Sequence, residues 1–147
     1  MPKLSFDRHV AYSTEQMMAL VGDLSSYPRF IPNCKAMAVT PDRLSSGDVK
    51  FAKMTLSFGP ITQGYTSRVT FDPVALTIDA KATDGPFQYL ISQWRFEPEA
   101  SGTKVHFEVD FKISNPLIAA VAEPAFAAKQ REIMDAFIAE ADRRYLD

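Results

Sequence analysis

Residues Asn115–Asp147 read Asn-Pro-Leu-Ile-Ala-Ala-Val-Ala-Glu-Pro-Ala-Phe-Ala-Ala-Lys-Gln-Arg-Glu-Ile-Met-Asp-Ala-Phe-Ile-Ala-Glu-Ala-Asp-Arg-Arg-Tyr-Leu-Asp, and nearly all of them are good helix formers. Asn115 suits an N-cap, and Pro116 suits the first helical position, where a missing N–H removes no bond. Ile118, Ala122, Phe126, Ile133, Phe137, Ala141 and Tyr145 recur at spacings of four or seven and make one apolar stripe, widened by Met134 and Ile138. Lys129, Glu132, Asp135, Glu140, Asp142 and Arg143 fill most of the remainder and read as a solvated face. A helix of roughly 30 residues is about 45 Å long, enough to span a whole sheet. Pro124 opposes the Ala120 carbonyl and removes one backbone bond, so a kink is expected there. The alanine-rich turns Ala119–Ala128 either let the backbone approach a neighbour closely or leave room for something else.

Working outward from that helix, the preceding chain alternates like strand. Leu4, Phe6, Val10 and Tyr12 alternate with Ser5, Asp7, His9 and Ala11 in a first strand. Arg8 falls in the apolar phase, as it would at a sheet edge with its guanidinium snorkelling out, or at the mouth of a pocket. Ser13-Thr14-Glu15-Gln16 has the form of a capping box, and Met17, Leu20, Val21 and Leu24 then give a short amphipathic helix. Tyr27-Pro28-Arg29-Phe30-Ile31-Pro32-Asn33-Cys34 holds two prolines and cannot continue a long helix. It reads either as a plug in one end of the core or as an apolar lid or membrane-touching tip.

Six further strand runs follow, joined by short turns. In order, they begin with Lys35–Leu44, weakened by Pro41, and then Ala52, Met54, Leu56 and Phe58 share one face. Tyr65, Val69 and Phe71 come next, then Leu76, Ile78, Ala80 and Ala82, then Leu90, Ser92, Trp94 and Phe96. The clearest run opposes Val105, Phe107, Val109, Phe111 and Ile113 to Lys104, His106, Glu108, Asp110 and Lys112. Turns fall at Ser45–Asp48, Gly59-Pro60, Asp72-Pro73, Asp84–Pro86 and Glu99–Gly102. Short turns favour antiparallel neighbours, and one wet face with one apolar face suits a single covering layer. The fold class is therefore α+β, a curved antiparallel sheet of about seven strands closed by one long helix. Such a sheet encloses either a filled seam or a hollow.

With 147 residues, 46% hydrophobic and 23% charged, the chain reads as one ordinary soluble domain spanning 1–147. A net charge of -2 gives no electrostatic footprint for nucleic acid, so no DNA partner is expected. One cysteine, Cys34, fits a reducing compartment. No run approaches the ~20 apolar residues of a membrane span, and the start shows no signal character. The expected location is cytoplasmic, with peripheral contact at the inner membrane if the prolyl segment is a membrane tip.

Catalytic candidates are sparse. His9 and His106 fall on wet strand faces, and His106, Glu108 and Asp110 step by about 7 Å, wide for one ion. Cys34 has no histidine near it in sequence and reads as an inert buried thiol. No inward carboxylate pair, P-loop, CxxC pair or HExxH occurs, so neither a catalytic set nor a metal site is expected. Ser92 and Gln93 beside Trp94 could give a ligand one hydrogen bond. An interior rich in Phe, Met, Leu and Val recognises a lipid-like or aromatic molecule by burial, at roughly 25 cal/mol per Å².

Tyr12-Ser13, Leu20-Val21-Gly22-Asp23 and Tyr27–Cys34 resemble the opening of the coenzyme Q-binding START-like proteins and of their relatives, the bacterial ribosome association toxins. The resemblance continues through Phe87–Phe96 with its Trp94-Arg95-Phe96 end, Val105–Phe111, Met134-Asp135-Ala136-Phe137 and Tyr145, essentially the whole chain. It implies a helix-grip fold (START or Bet v 1-like, polyketide cyclase superfamily) with a hydrophobic cavity under the helix. In the quinone branch it implies carriage or chaperoning of ubiquinone for respiration, with no other cofactor and no catalysis. Asn33 stands where the family has tryptophan, which leaves Phe30 and Trp94 as the aromatic candidates. On this reading the ligand wall is Phe30, Met54, Leu56, Phe58, Val69, Ile78, Leu90, Trp94, Phe107, Val109, Phe126, Ile133 and Phe137, with the entrance at Tyr27, Pro28, Ile31 and Pro32. The expected partner is ubiquinone or a similar isoprenoid lipid. Two alternatives stand beside it. One is a factor that binds the large ribosomal subunit and blocks subunit joining, for which Arg143 and Arg144 are few phosphate contacts. The other is a polyketide cyclase-type enzyme, for which no inward acid–base pair exists.

Overall fold

Period-two alternation produces seven strands, and the two capped segments produce the main helices. The structure, a computed structural model, describes residues 3–41, 49–58 and 61–146. The turns expected at Ser45–Asp48 and Gly59-Pro60 lie outside the described residues, as do the side chains of Phe58 and Ile61. In chain order the elements are β1 (Lys3–Val10), α1 (Thr14–Gly22), a single 3-10 turn (Leu24–Ser26), α2 (Tyr27–Phe30), β2 (Cys34–Pro41), β3 (Val49–Phe58), β4 (Ile61–Asp72), β5 (Thr77–Ala82), β6 (Phe87–Glu99), β7 (Gly102–Ile113) and α3 (Pro116–Tyr145).

Each helix starts where its cap dictates. The Ser13 hydroxyl accepts from the Gln16 N–H at 3.1 Å while the Gln16 side chain accepts from the Ser13 N–H at 2.9 Å, a closed capping box. The Asn115 side chain accepts from the N–H groups of Leu117 and Ile118, and α3 then runs to Tyr145 with Pro124 inside it. The prolyl segment yields the one-turn α2. Asn33, at φ 67°, then turns the chain into β2, with its Nδ2 donating to the Ser57 carbonyl at 2.7 Å. Asparagine tolerates that left-handed backbone, so the residue serves the turn.

The strands form one antiparallel sheet in the order β1-β7-β6-β5-β4-β3-β2, with α3 laid across its apolar face in a helix-grip arrangement. Alternation along β7 is complete: Val105, Phe107, Val109, Phe111 and Ile113 are buried. Arg8 lies on the edge strand β1, half-exposed, 3.9 Å from Asp135 of α3. On the outer face His106 lies against Asp7 and, at 2.9 Å, Glu97, while Glu108 pairs with Lys3 at 3.0 Å. His106 and Glu108 are thus engaged with neighbouring strands, and with Asp110 they form no metal-holding group among the described residues.

Two expectations for α3 are corrected. Glu140 is buried at 7% exposure, not solvated. Arg143 Nε and Nη2 donate to its carboxylate at 2.8 and 2.6 Å, and Arg144 Nε at 2.8 Å. Arg144 also reaches Asp23 at 3.2 Å, fastening the helix end to the 3-10 turn. Ile118 belongs to the apolar stripe by spacing, yet it is 55% exposed, and Leu117 and Val121 beside it are 84% and 78% exposed. The first turns of α3 thus leave Leu117, Ile118 and Val121 open to solvent, and the fully buried part of the stripe begins at Phe126.

Candidate functional site

Strand register explains where α3 fails to close on the sheet. Pairing aligns inward residues in rows across the strands. One row carries Phe71, Ile78, Trp94 and Phe107. The next carries Val69, Ala80, Ser92 and Val109, and beyond it lie Ala52, Ser67 and Ala82 on β3–β5 and the pair Leu90 and Phe111 on β6 and β7. A further row brings Met37, Met54 and Tyr65. Alanine and serine therefore gather in the two middle rows, between large side chains on either side.

The large side chains hold the helix up. Around Trp94, Phe107 stacks at 4.4 Å between centroids, and Phe137 of α3 meets it edge-on at 4.8 Å. Tyr27 and Phe30 of α2 meet Phe137 at 5.2 and 5.3 Å. On the other side Phe126 of α3 contacts Phe111 at 4.7 Å and Phe87 at 5.3 Å, and Phe87 contacts Tyr65 at 5.3 Å. Edge-to-face pairs of this kind add ~1 kcal/mol beyond area burial, so both groups resist collapse of the gap they bracket.

Between them lies a cavity of about 130 Å³. Met54 and Leu56 of β3, Val69 of β4 and Ile78 of β5 line it, with Leu90 and Trp94 of β6, Phe107 and Val109 of β7, and Phe126, Ile133 and Phe137 of α3. Tyr27 and Ile31 reach it as well. Phe30 does not: it lies behind Tyr27 and Phe137 and supports them. Pro28 and Pro32 do not line it either, because they shape the backbone of α2 and its exit, and Phe58's side chain lies outside the described residues.

Sequence reasoning did not select Leu24, Met37, Ala52, Tyr65, Ser67, Ala80 or Gln130, which also line the cavity; Ser92, noted as a hydrogen-bond candidate, joins them. A weak signal was available, since Ser67, Ala80 and Ser92 fall in inward phases. Only pairing shows that these small residues are neighbours.

Among the described residues the lining carries no carboxylate, histidine, lysine or arginine. Its ionisable phenols are Tyr27 and Tyr65, and burial pushes both well above the usual tyrosine range. Tyr27 donates to the Val21 carbonyl, and Tyr65 donates weakly to the Met54 sulfur at 3.7 Å. Cys34, buried beside α2, has its thiol pushed up by burial. A phenol or thiol raised in this way holds its proton at neutral pH and cannot serve as a general base. Among the described residues no group of three His, Cys, Asp or Glu could hold a metal ion. The arrangement can bury an apolar group and offer it a few neutral hydrogen bonds. No described helix is long and apolar enough to cross a membrane.

Residues 10–138 match the family described as polyketide cyclase / dehydrase and lipid transport. The chain is 31% identical to the ribosome association toxin RatA of Escherichia coli K12, over 99% of this chain and 90% of that one. It is 33% identical to the mitochondrial coenzyme Q-binding protein COQ10 of Drosophila melanogaster, over 92% of this chain and 56% of that one. A START superfamily protein from Mycobacterium smegmatis superposes with a TM-score of 0.80 at 14% identity, covering 96% of this chain and 97% of that one.

Proposed function

Since the chain belongs to the polyketide cyclase / dehydrase and lipid transport family, we propose that it binds a hydrophobic molecule beneath α3 and carries ubiquinone or a similar isoprenoid, without catalysing a reaction on it. The observation that supports this most is the cavity itself, apolar on nearly every side and set between two aromatic groups. The ligand wall is the set from Met54 to Phe137 named above, with Tyr27 and Ile31 as the approach.

Size refines the reading. Pockets that enclose whole drug-sized ligands run to roughly 300–1,000 Å³. A hollow of about 130 Å³ is closer to the ~150 Å³ that houses one benzene. The present form therefore admits one ring or one isoprene unit, and a longer tail has to part the walls. The start of α3, where Leu117, Ile118 and Val121 are exposed, is the part of that helix with the fewest buried side chains to hold it back.

Mass spectrometry of an organic extract from freshly purified protein should detect a quinone. Titration with ubiquinone bearing one isoprene unit should change Trp94 fluorescence, since Trp94 lines the cavity. An empty extract together with no binding would sink the carrier reading.

A second reading is favoured by the toxin relative, which matches over nearly its full length: association with the large ribosomal subunit. Its check is a sucrose-gradient profile with excess protein, where free subunits should accumulate at the expense of joined ribosomes. Unchanged profiles alongside quinone uptake would separate the two. Cyclase chemistry has the least support, because among the described residues the lining holds no group able to act as a base at neutral pH.

A further inference from the structure

Gln130 projects from the middle of α3 into the cavity and is only 4% exposed. Its Nε2 donates to the Phe126 carbonyl at 3.1 Å, an oxygen that the helix ladder already pairs with the Gln130 backbone N–H. Only an N–H can face that carbonyl, which fixes the orientation of the amide. The amide therefore has its oxygen and its second N–H still to satisfy. No described residue donates to Oε1. No side-chain oxygen or nitrogen among the described residues is both sealed and unpartnered, so Oε1 keeps some accessible surface, and the hollow is the space that Gln130 lines. Its cavity neighbours on α3 are Phe126, Ile133 and Phe137, none of which can donate.

An occupant that drives water from this space must meet an acceptor and a donor together. A hydroxyl does both: its hydrogen goes to Oε1 and its oxygen takes the remaining N–H. A quinone carbonyl takes the N–H alone and strands Oε1 in an apolar surround, where an unpaired acceptor is costly. Sites built to hold a hydroxyl discriminate by this mechanism against analogues that lack it. We infer that Gln130 reads a hydroxyl hydrogen on the bound molecule, so that the cavity takes a phenolic or quinol ring in preference to the corresponding quinone. Ser67 and Ser92 also line the cavity, and a serine hydroxyl can turn to donate or accept, so they serve either form. This inference rests on the carrier reading and adds the oxidation state to it.

The test is anaerobic calorimetry on the full chain with one-isoprene ubiquinone and, separately, its reduced quinol. The quinol should bind about five- to tenfold more tightly, the worth of one satisfied hydrogen bond. In Gln130→Met, near in size and without the amide, that ratio should fall to about one. Gln130→Asn, which withdraws the amide by one methylene, should lower it too and serves if the methionine variant fails to fold. Because both ligands share one skeleton, general loosening of the cavity moves both affinities and leaves their ratio intact. Equal affinities in the native protein, or an unchanged ratio in the variants, would overturn the inference while leaving the carrier reading standing. Uptake of neither form would overturn both.

Discussion

Gly102 opens β7 at φ 142°, and a side chain there would place its Cβ 2.0 Å from the Val10 carbonyl oxygen. The neighbouring Thr103, fully buried, donates to the Tyr12 carbonyl at 2.7 Å and locks the same crossing. Gly102→Ala should therefore destabilise the protein by about 2 kcal/mol or more, read as a lowered urea midpoint with unchanged slope. Near-native stability would mean that β1 and β7 can part there without cost. Trp94 is the residue whose loss should be felt both in the fold and in binding. It packs against Phe107 and Phe137 and lines the cavity. Trp94→Ala should cost about 3–5 kcal/mol in chemical denaturation and abolish ligand uptake.

At the scale of elements, the two ends of α3 differ. The C-terminal end is fastened: Arg143 and Arg144 hold the Glu140 carboxyl down at about 2, well below its ordinary 4.5. A depressed carboxylate stabilises the fold above its unfolded value and loses that contribution as pH falls. Stability should thus be complete above pH 4.5 and decline between there and pH 2. Glu140→Gln should cost on the order of 1–3 kcal/mol at pH 7 and flatten that acid limb. An acid limb identical to that of the native protein would remove Glu140 as its cause. The N-terminal end is loose by comparison, with Leu117 and Val121 mostly exposed. Leu117→Ser and Val121→Ser should change stability by less than about 0.5 kcal/mol each by thermal denaturation. A larger loss would mean that these residues are covered in solution.

At the scale of the whole molecule, the hollow exists because small residues of neighbouring strands fall into adjacent rows while aromatic side chains prop the helix on either side. Ala80→Leu puts three carbons into a space of about 130 Å³. It should hold or raise stability, by up to about 2 kcal/mol, while ligand uptake measured by calorimetry disappears. Unaltered uptake would place the ligand elsewhere. Much of this architecture was legible from residue order, because it is local. The caps at Ser13 and Asn115, the inward phases of the strands other than β2 and the helical stripe from Phe126 to Ala141 follow from backbone bonding and from periods of two and 3.6 residues. An interior rich in Phe, Met, Leu and Val followed as well. Only the tertiary structure decided that Ala80, Ser67 and Ser92 lie close enough to leave a gap, since register between strands is set by pairing. It also buried Glu140 and Gln130. Both look like ordinary surface residues of a helix until Arg144 bridges to Asp23 and the sheet closes over one side of α3, because burial depends on what a residue meets across the fold.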